Sequence, residues 1–148
     1  MTVVSAGHTS PKLYSGASRT LADVISVDPT GLPLGVERRY KYVAVTVALN
    51  PTDTVTAYTD GVTDAMSPAG KTFGVRAVEK HLMPPEGHGP EAARPKRVGE
   101  ELVNAVHKHA GGRPQSDDIA VVCFGRWDAA AESNTTLNGQ GAGSNPPT

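Results

Sequence analysis

The apolar run Ile119 to Phe124 constrains the fold more than any other segment, because it has the length and composition of a buried strand. A run without polar alternation indicates an interior strand with both faces covered. The other strand signals lie before Asp60, and the helical patterns lie between Asp60 and this run. The order of elements is therefore strands, then helices, then one more strand.

The early strands are predicted from β-branched and alternating segments. Residues 3–4 and 12–14 flank a turn-forming segment and predict a hairpin, and residues 21–27 predict a third strand. Residues 40–49 alternate along their length, which predicts a strand. The β-branched segment 54–59 follows a turn, so we expect it to pair back with that strand.

Two helices are predicted later in the chain. Gly74 to Met83 has helical composition and ends before two prolines, and residues 84–90 are expected to form an exposed loop. Pro95 to Ala110 predicts a longer helix that stops at Gly111. The stripe that this helix should bury comprises Val98, Leu102, Ala105, Val106 and His109.

Composition sets the domain limits. Residues 128–148 are small and polar, so ordering them would cost entropy without return, and we predict one domain at 1–127 followed by a disordered tail. The formal charge of -1 argues against nucleic acid or an anionic membrane as partners. Cys123 is a single cysteine, which excludes a disulfide framework within the chain. The N-terminus lacks a signal-peptide pattern, so the expected location is the cytoplasm.

Two carboxylates stand at strand ends: Asp60 closes the strand 54–59, and Asp117 precedes the run Ile119 to Phe124. Mg²⁺ and Mn²⁺ prefer oxygen ligands, so carboxylates brought together from distant segments suit such ions. A bound ion of this kind activates water for attack on a phosphoryl group. The structural alternative is that Asp-Gly forms an ordinary turn and that Asp-Asp is a pair of solvent-exposed residues before a strand.

Further motifs occur with these aspartates in one order and spacing. They are Ser5-Ala6-Gly7-His8-Thr9-Ser10-Pro11, Leu32-Pro33-Leu34-Gly35-Val36, Tyr58-Thr59-Asp60-Gly61-Val62-Thr63-Asp64-Ala65, Phe73-Gly74, and Ser116-Asp117-Asp118-Ile119-Ala120-Val121-Val122. With these motifs the chain closely resembles the bacterial SpoIIE-like branch of the metal-dependent serine/threonine protein phosphatases (PPM, type 2C) over about Val3 to Arg126. The resemblance implies an α+β fold: the C-terminal part of an αββα sandwich, two antiparallel β-sheets flanked by helices, with the N-terminal strands missing.

The resemblance also implies roles for individual residues. Asp60 and Asp117 match ligands of the family's dinuclear Mn²⁺ or Mg²⁺ centre and would act through a metal-activated water. Asp118 is secondary, either orienting a metal-bound water or turning the chain. Asp64 stands where this branch usually has Glu, and capping the turn is its favoured role. Gly61 is expected to allow a tight backbone after Asp60.

The family's remaining ligands come from an earlier segment, Asp-Gly-x-x-Gly-His-Gly or a close variant, and this chain begins after that point. The similar segment Glu86-Gly87-His88-Gly89 has the wrong order and lacks the Asp, so we interpret it as a surface loop. Asp60 and Asp117 alone cannot complete a two-metal site, so metal binding by this chain should be weak. Without the first strands, sheet edges and part of an apolar face should be open to water.

Other polar residues favour structural roles. His107 and His109 are two apart on a helix and face different ways, so one should be packed and one solvated. His8 belongs to a family signature without being a ligand, and a structural role is expected. Arg113 and Arg126 are candidates for phosphate contact, although solvated or salt-bridged arginines are commoner.

Two classes of function follow. The first is a protein serine/threonine phosphatase. The resemblance implies that its substrates are phosphorylated proteins of bacterial signalling, such as anti-sigma-factor antagonists, and that a sensor domain commonly lies upstream. In that case this chain would be a truncated or impaired form. The alternative is a non-catalytic interaction or regulatory half-domain, a pseudophosphatase that binds a partner through an unpaired sheet edge. A gene fragment with the missing strands encoded upstream would also explain the sequence.

Overall fold

The computed structural model describes residues 1–25, 31–115 and 117–127. The predicted tail at 128–148 lies outside these residues, as do Val27 and Ser116. The strands are β1 (Thr2–Val4), β2 (Lys12–Ser15), β3 (Thr20–Asp23), β4 (Ala44–Thr46), β5 (Thr54–Tyr58) and β6 (Val121–Gly125). The helices are α1 (Asp60–Asp64), α2 (Val75–Leu82) and α3 (Pro95–Ala110), with a short 3₁₀ helix at Pro90–Ala93.

The strands form two antiparallel sheets. One has four strands in the order β3-β2-β5-β6, and the other pairs β1 with β4. The four-stranded sheet brings β6 directly against β5, with Tyr58 opposite Val121. The predicted combination of antiparallel sheets and helices is confirmed.

The predicted strand pairings were wrong in two places. Residues 3–4 and 12–14 do not form a hairpin, because β1 pairs with β4, and β2 lies between β3 and β5. Likewise β5 does not pair with the preceding strand, and of residues 40–49 only Ala44–Thr46 are in a strand. Strands that are consecutive in sequence often pair, but a local sequence pattern does not specify which two strands are hydrogen-bonded to each other.

The two longer helices were predicted at the correct places. Val98, Leu102 and Val106 of α3 are buried, and Gly111 ends the helix in the left-handed conformation, at φ 57°. In α2, Val78 and Leu82 are buried. These side chains form one core with Tyr58 of β5 and with Val62 and Ala65 at α1. Within the described part of the chain, no helix combines the length and apolar character needed to cross a membrane.

One face of the four-stranded sheet lies against the helices, and we call it the helix-covered face. It carries Lys12, Thr56, Tyr58 and Cys123, since Lys12 reaches Glu79 of α2 and Tyr58 belongs to the core. At its β6 end the face meets α3 closely. A Cβ on Gly99 would lie 3.3 Å from the Cys123 sulfur, so the absence of a side chain there allows this approach.

The opposite face is open at β6, and the prediction that both faces of this strand are covered was wrong. Val122 is 58% exposed and Phe124 is 42% exposed. Among the described residues β6 pairs with β5 alone, so it is an edge strand. A continuous apolar run does not reveal whether a second layer covers it, because periodicity reports composition and not packing partners.

Candidate metal-binding site

Asp60 lies where β5 ends and α1 begins. Tyr58 is the last residue of β5, Thr59 precedes the helix in extended conformation, and Asp60 is its first residue. The sequence indicated that the strand stops here, but the five-residue helix was not predicted. The Asp60 side chain is exposed, and its Oδ1 accepts a hydrogen bond from the Gly61 amide at 3.0 Å.

Thr59 joins this strand end to the segment that leads into β6. Its amide donates to the Ala120 carbonyl at 3.0 Å, and its hydroxyl donates to the Asp118 carbonyl at 2.8 Å. The same hydroxyl accepts from the Ala120 amide at 2.9 Å. These bonds hold the Asp60 and Asp117 segments side by side. The role of Thr59 was not predicted from the sequence; the available signal was its position between a strand and an Asp-Gly pair.

Gly61 makes the closest backbone approach between the two segments. A Cβ added there would overlap the Asp118 carbonyl oxygen and lie 2.9 Å from the carbonyl carbon. Gly61 is helical and has no positive φ, so the expected tight backbone conformation is not why glycine is needed. The reason is the absence of a side chain, which lets α1 lie directly against Asp117 and Asp118.

Asp117 is also exposed, and its Oδ1 accepts a hydrogen bond from the Asp118 amide at 2.7 Å. The structure therefore brings the two predicted ligand segments into backbone contact. Over residues 1–25, 31–115 and 117–127, no three His, Cys, Asp or Glu side chains are grouped so as to hold a metal ion. The joint role of Asp60 and Asp117 as metal ligands stays a prediction.

Asp64 and Asp118 have local contacts. Asp64 is exposed at the end of α1, where its Oδ1 accepts a bond from the Thr63 hydroxyl at 3.3 Å. The single proton of that hydroxyl is shared with the Asp60 carbonyl oxygen at 2.9 Å, the shorter of the two contacts, and the turn-capping role of Asp64 stays a prediction. Asp118 contributes its carbonyl to Thr59 and exposes its side chain.

His8 supports the strand end next to Asp60. Its Nε2 lies 3.1 Å from the Tyr58 carbonyl oxygen, an acceptor, so Nε2 carries the proton in this bond. The expected structural role matches this contact. His8 ties the β1–β2 connection to the end of β5.

A small cleft beside the site is lined by Gly61, Asp117 and Arg113, among others. The Arg113 Nη1 donates to the Ser67 carbonyl at 3.3 Å, which fixes one end of its guanidinium. Arg113 is therefore the candidate cation next to Asp117. Arg126 lies elsewhere, at a bridge to Pro51 beside the end of β6.

Neither His107 nor His109 lines this cleft. His107 is exposed, whereas His109 packs edge-on against Phe73 with ring centroids 5.4 Å apart. The segment Glu86-Gly87-His88-Gly89 is an exposed loop between α2 and the 3₁₀ helix, as predicted.

The helix-covered face carries three side chains with raised pKa values. Burial would lower the pKa of Lys12, but hydrogen bonds from its ammonium to Glu79 and Asp23 outweigh burial and raise the pKa. Burial raises the pKa of the Tyr58 phenol and the pKa of the Cys123 thiol. All three groups are thus held in their protonated forms on this face.

One family model matches the chain over all the residues that the structure describes. The model described as Stage II sporulation protein E (SpoIIE) matches residues 1–127. The chain belongs to the SpoIIE family. None of the curated proteins compared with this SpoIIE-family chain matches it.

Solved phosphatase domains have the same fold as this SpoIIE-family chain. The SiaA PP2C domain of Pseudomonas aeruginosa is 25% identical with a TM-score of 0.58, covering 82% of this chain and 44% of that one. The Mn-presoaked SpoIIE phosphatase domain of Bacillus subtilis is 15% identical with a TM-score of 0.59, covering 86% and 50%. The RsbU and RsbW domains of a Mycobacterium tuberculosis protein are 19% identical with a TM-score of 0.56, covering 85% and 32%. The chain spans half or less of the length of each.

Proposed function

We propose that this chain contributes the Asp60 and Asp117 side of a metal-dependent protein phosphatase site that hydrolyses phosphoserine or phosphothreonine. One observation carries the proposal: Gly61 lies against the Asp117–Asp118 backbone, and Thr59 bonds to the same segment. Two segments that are distant in sequence thereby present exposed carboxylates at the same end of the sheet. Membership of the SpoIIE family and the PP2C fold support it.

The donor set suits a hard divalent cation in part. Carboxylate oxygens are the ligands that Mn²⁺ and Mg²⁺ prefer, and Asp60 and Asp117 would hold such an ion together with further ligands. When bound, the ion supplies positive charge that activates water and offsets charge on the phosphoryl group. Asp118 lies next in the chain and would orient water at the site, and Asp64 would close the turn at the end of α1. Gly61 lets α1 lie against Asp117 and Asp118.

Hydrolysis of a phosphomonoester forms a bond from a water oxygen to phosphorus while the bond to the serine or threonine oxygen breaks in line. The leaving oxygen takes a proton, and the attacking water loses one. Arg113 is our candidate for contact with the phosphoryl oxygens, because this residue and Asp117 line the same small cleft and its Nη1 is anchored at the Ser67 carbonyl. Its part is to orient the phosphate next to the carboxylates.

The substrates we propose are phosphorylated proteins of bacterial signalling, with an anti-sigma-factor antagonist as the first to test and the cytoplasm as the site of action. A sensor domain upstream would regulate the activity. Support comes from family membership and from the exposure of both carboxylates, which leaves room for a protein-borne phosphate.

Calorimetric titration of the chain with Mn²⁺ tests the site. We expect binding weaker than about 1 µM, because two carboxylates are fewer than a complete ligand set. Asp60→Asn and Asp117→Asn should each abolish the binding heat, whereas Glu86→Gln in the exposed loop should leave it unchanged. Equal binding by all variants would remove the metal assignment.

Hydrolysis of p-nitrophenyl phosphate with Mn²⁺ is the second test. We expect little turnover by the chain alone. Robust turnover that is lost in Asp60→Ala would confirm the role of Asp60. It would also contradict our prediction that the ligand set of this chain is incomplete.

A non-catalytic interaction protein is the second candidate function. It is favoured because the described residues contain no group of three His, Cys, Asp or Glu side chains that could hold a metal ion, and because the outer edge of β6 is unpaired among those residues. A chain that binds no Mn²⁺ in the titration and still binds a partner protein would support this function over the enzyme.

A further inference from the structure

A second recess lies on the outer side of the β2–β3 hairpin, facing α2, and we call it the basic groove. Its volume is about 630 Å³. The charged residues that line it are Lys12, Arg19, Asp23, Arg76, Glu79 and Lys80. It shares no lining residue with the cleft beside Asp117.

The groove has an excess of positive charge. Lys12 is already neutralised, because its Nζ lies 3.0 Å from Asp23 Oδ1 and 2.8 Å from Glu79 Oε1. Four cations face two carboxylates along the lining, which leaves two positive charges in excess. The remaining cations, Arg19, Arg76 and Lys80, are therefore the ones available to a ligand.

Arg76 and Lys80 are exposed on one side of α2, four residues apart, and neither has an ion-pair or hydrogen-bond partner among the residues described. Like charges at this spacing repel each other on a helix. The pair therefore weakens α2 slightly in the free chain, and an anion between the two would relieve the repulsion.

Arg19 lies in the β2–β3 turn and lines the same groove. Its Nη2 donates to the Pro85 carbonyl at 3.3 Å and its Nη1 to the His88 carbonyl at 3.5 Å. These neutral acceptors hold the guanidinium in place without cancelling its charge. Arg19 also has a φ of 54°, a conformation uncommon for a residue with a side chain.

The floor of the groove includes a sheet edge. All four residues of β3, Thr20–Asp23, line it, and β3 is the outer strand of the four-stranded sheet. No strand pairs with the outer side of β3 within residues 1–25, 31–115 and 117–127. Its free backbone groups match those of an added extended segment.

We propose that the basic groove binds an extended acidic segment of a partner protein, which adds to the β3 edge and places its carboxylates against Arg76, Lys80 and Arg19. The dimensions agree: four helix residues rise about 6 Å, and alternate residues of an extended strand lie about 6.6 Å apart. Glutamates or aspartates at alternate positions would meet Arg76 and Lys80 in turn. A nucleic acid or a lipid surface would need a longer basic track than three cations.

The test is fluorescence anisotropy with a labelled six-residue peptide that alternates glutamate and threonine, titrated with the chain at low salt. The peptide should bind, and binding should fall as salt rises. Charge reversal by Arg76→Glu with Lys80→Glu should weaken binding about tenfold or more. The matched control is Arg38→Glu with Lys41→Glu, which changes the net charge equally at exposed residues elsewhere and should leave affinity nearly unchanged.

Amide hydrogen exchange supplies the geometric readout, since peptide binding should slow exchange in β3. The proposal is overturned if the peptide does not bind, or if both double variants weaken binding equally. It is also overturned if an oligonucleotide or phosphatidylserine vesicles bind more tightly than the peptide. None of these readouts needs Mn²⁺ or turnover, so the result is independent of the phosphatase proposal. Circular dichroism of each variant shows that the fold is retained.

Discussion

The two faces of the four-stranded sheet differ sharply at β6. On the helix-covered face, Cys123 packs against α3, and Leu102 and Val106 of that helix have no exposed surface. On the opposite face, Val122 and Phe124 are about half exposed. At β6, therefore, the side chains that face the helices are packed and those on the opposite face are not, although Val55 of β5 is buried on that opposite face. The second face contributes less because little covers its β6 end.

Leu102→Ala should have the largest effect on this contrast. Removing a fully buried leucine loses transfer free energy and leaves a cavity, so we expect a loss of about 2–5 kcal/mol in the free energy of unfolding. Val122→Ala, on the open face, should cost less than about 1 kcal/mol. Urea unfolding of both variants measures the difference. Similar losses would show that the two faces are equally packed.

The Gly61→Ala substitution tests whether the packing of the helix-covered face extends to the Asp60 and Asp117 segments. The added Cβ would meet the Asp118 carbonyl, so we expect a loss of about 1–3 kcal/mol and weaker Mn²⁺ binding. Gly89→Ala is the matched control, because nothing lies within 4 Å of a Cβ there and its φ is -68°. A Gly61→Ala variant as stable as the control would contradict the backbone contact.

Alkaline pH should weaken the helix-covered face. The ordinary pKa values are 9.0 for Cys123, 10.0 for Tyr58 and 10.5 for Lys12, and each pKa is raised in the folded chain. The folded state therefore holds these protons more tightly than the unfolded chain. The stabilisation is complete below pH 9 and is lost as pH rises through the folded pKa values.

Chemical unfolding at pH 7, 9 and 10.5 measures this loss. Cys123→Ala should flatten the first part of the decline, near pH 9. A free energy of unfolding that rises with pH over this range would contradict the assigned directions.

Tyr58→Phe should have the smallest effect on stability. The sign of the change shows whether the hydroxyl on the helix-covered face is a cost to the folded state. The Tyr58 side chain is buried in the core, and its hydroxyl has no hydrogen-bond partner among the described atoms. Removing an unsatisfied buried hydroxyl should leave stability unchanged or raise it by up to about 1 kcal/mol. Thermal unfolding measures the change. A large loss would mean that the hydroxyl is satisfied by an ordered water.

Much of the candidate site could be predicted from the sequence. The motifs around Asp60 and Asp117 identified the family. Asp60 follows β5 closely, as predicted, whereas β6 begins at Val121, four residues after Asp117, and not at Ile119. The hydrogen bond from the Thr59 hydroxyl to the Asp118 carbonyl could not be predicted, because the two residues are 59 apart in sequence. The basic groove was not predicted either, because Arg19 and Arg76 are 57 residues apart and line one recess only in the folded chain.

The sequence by itself determined the long helices and the segments that enter strands, because periodicity and turn residues are local properties. It also determined the family, through motifs kept in order. Only the tertiary structure decided that β1 pairs with β4, that β5 lies between β2 and β6, and that one face of β6 stays open. Strand pairing and burial depend on contacts between distant residues, and their free energy is set by packing that no local pattern records.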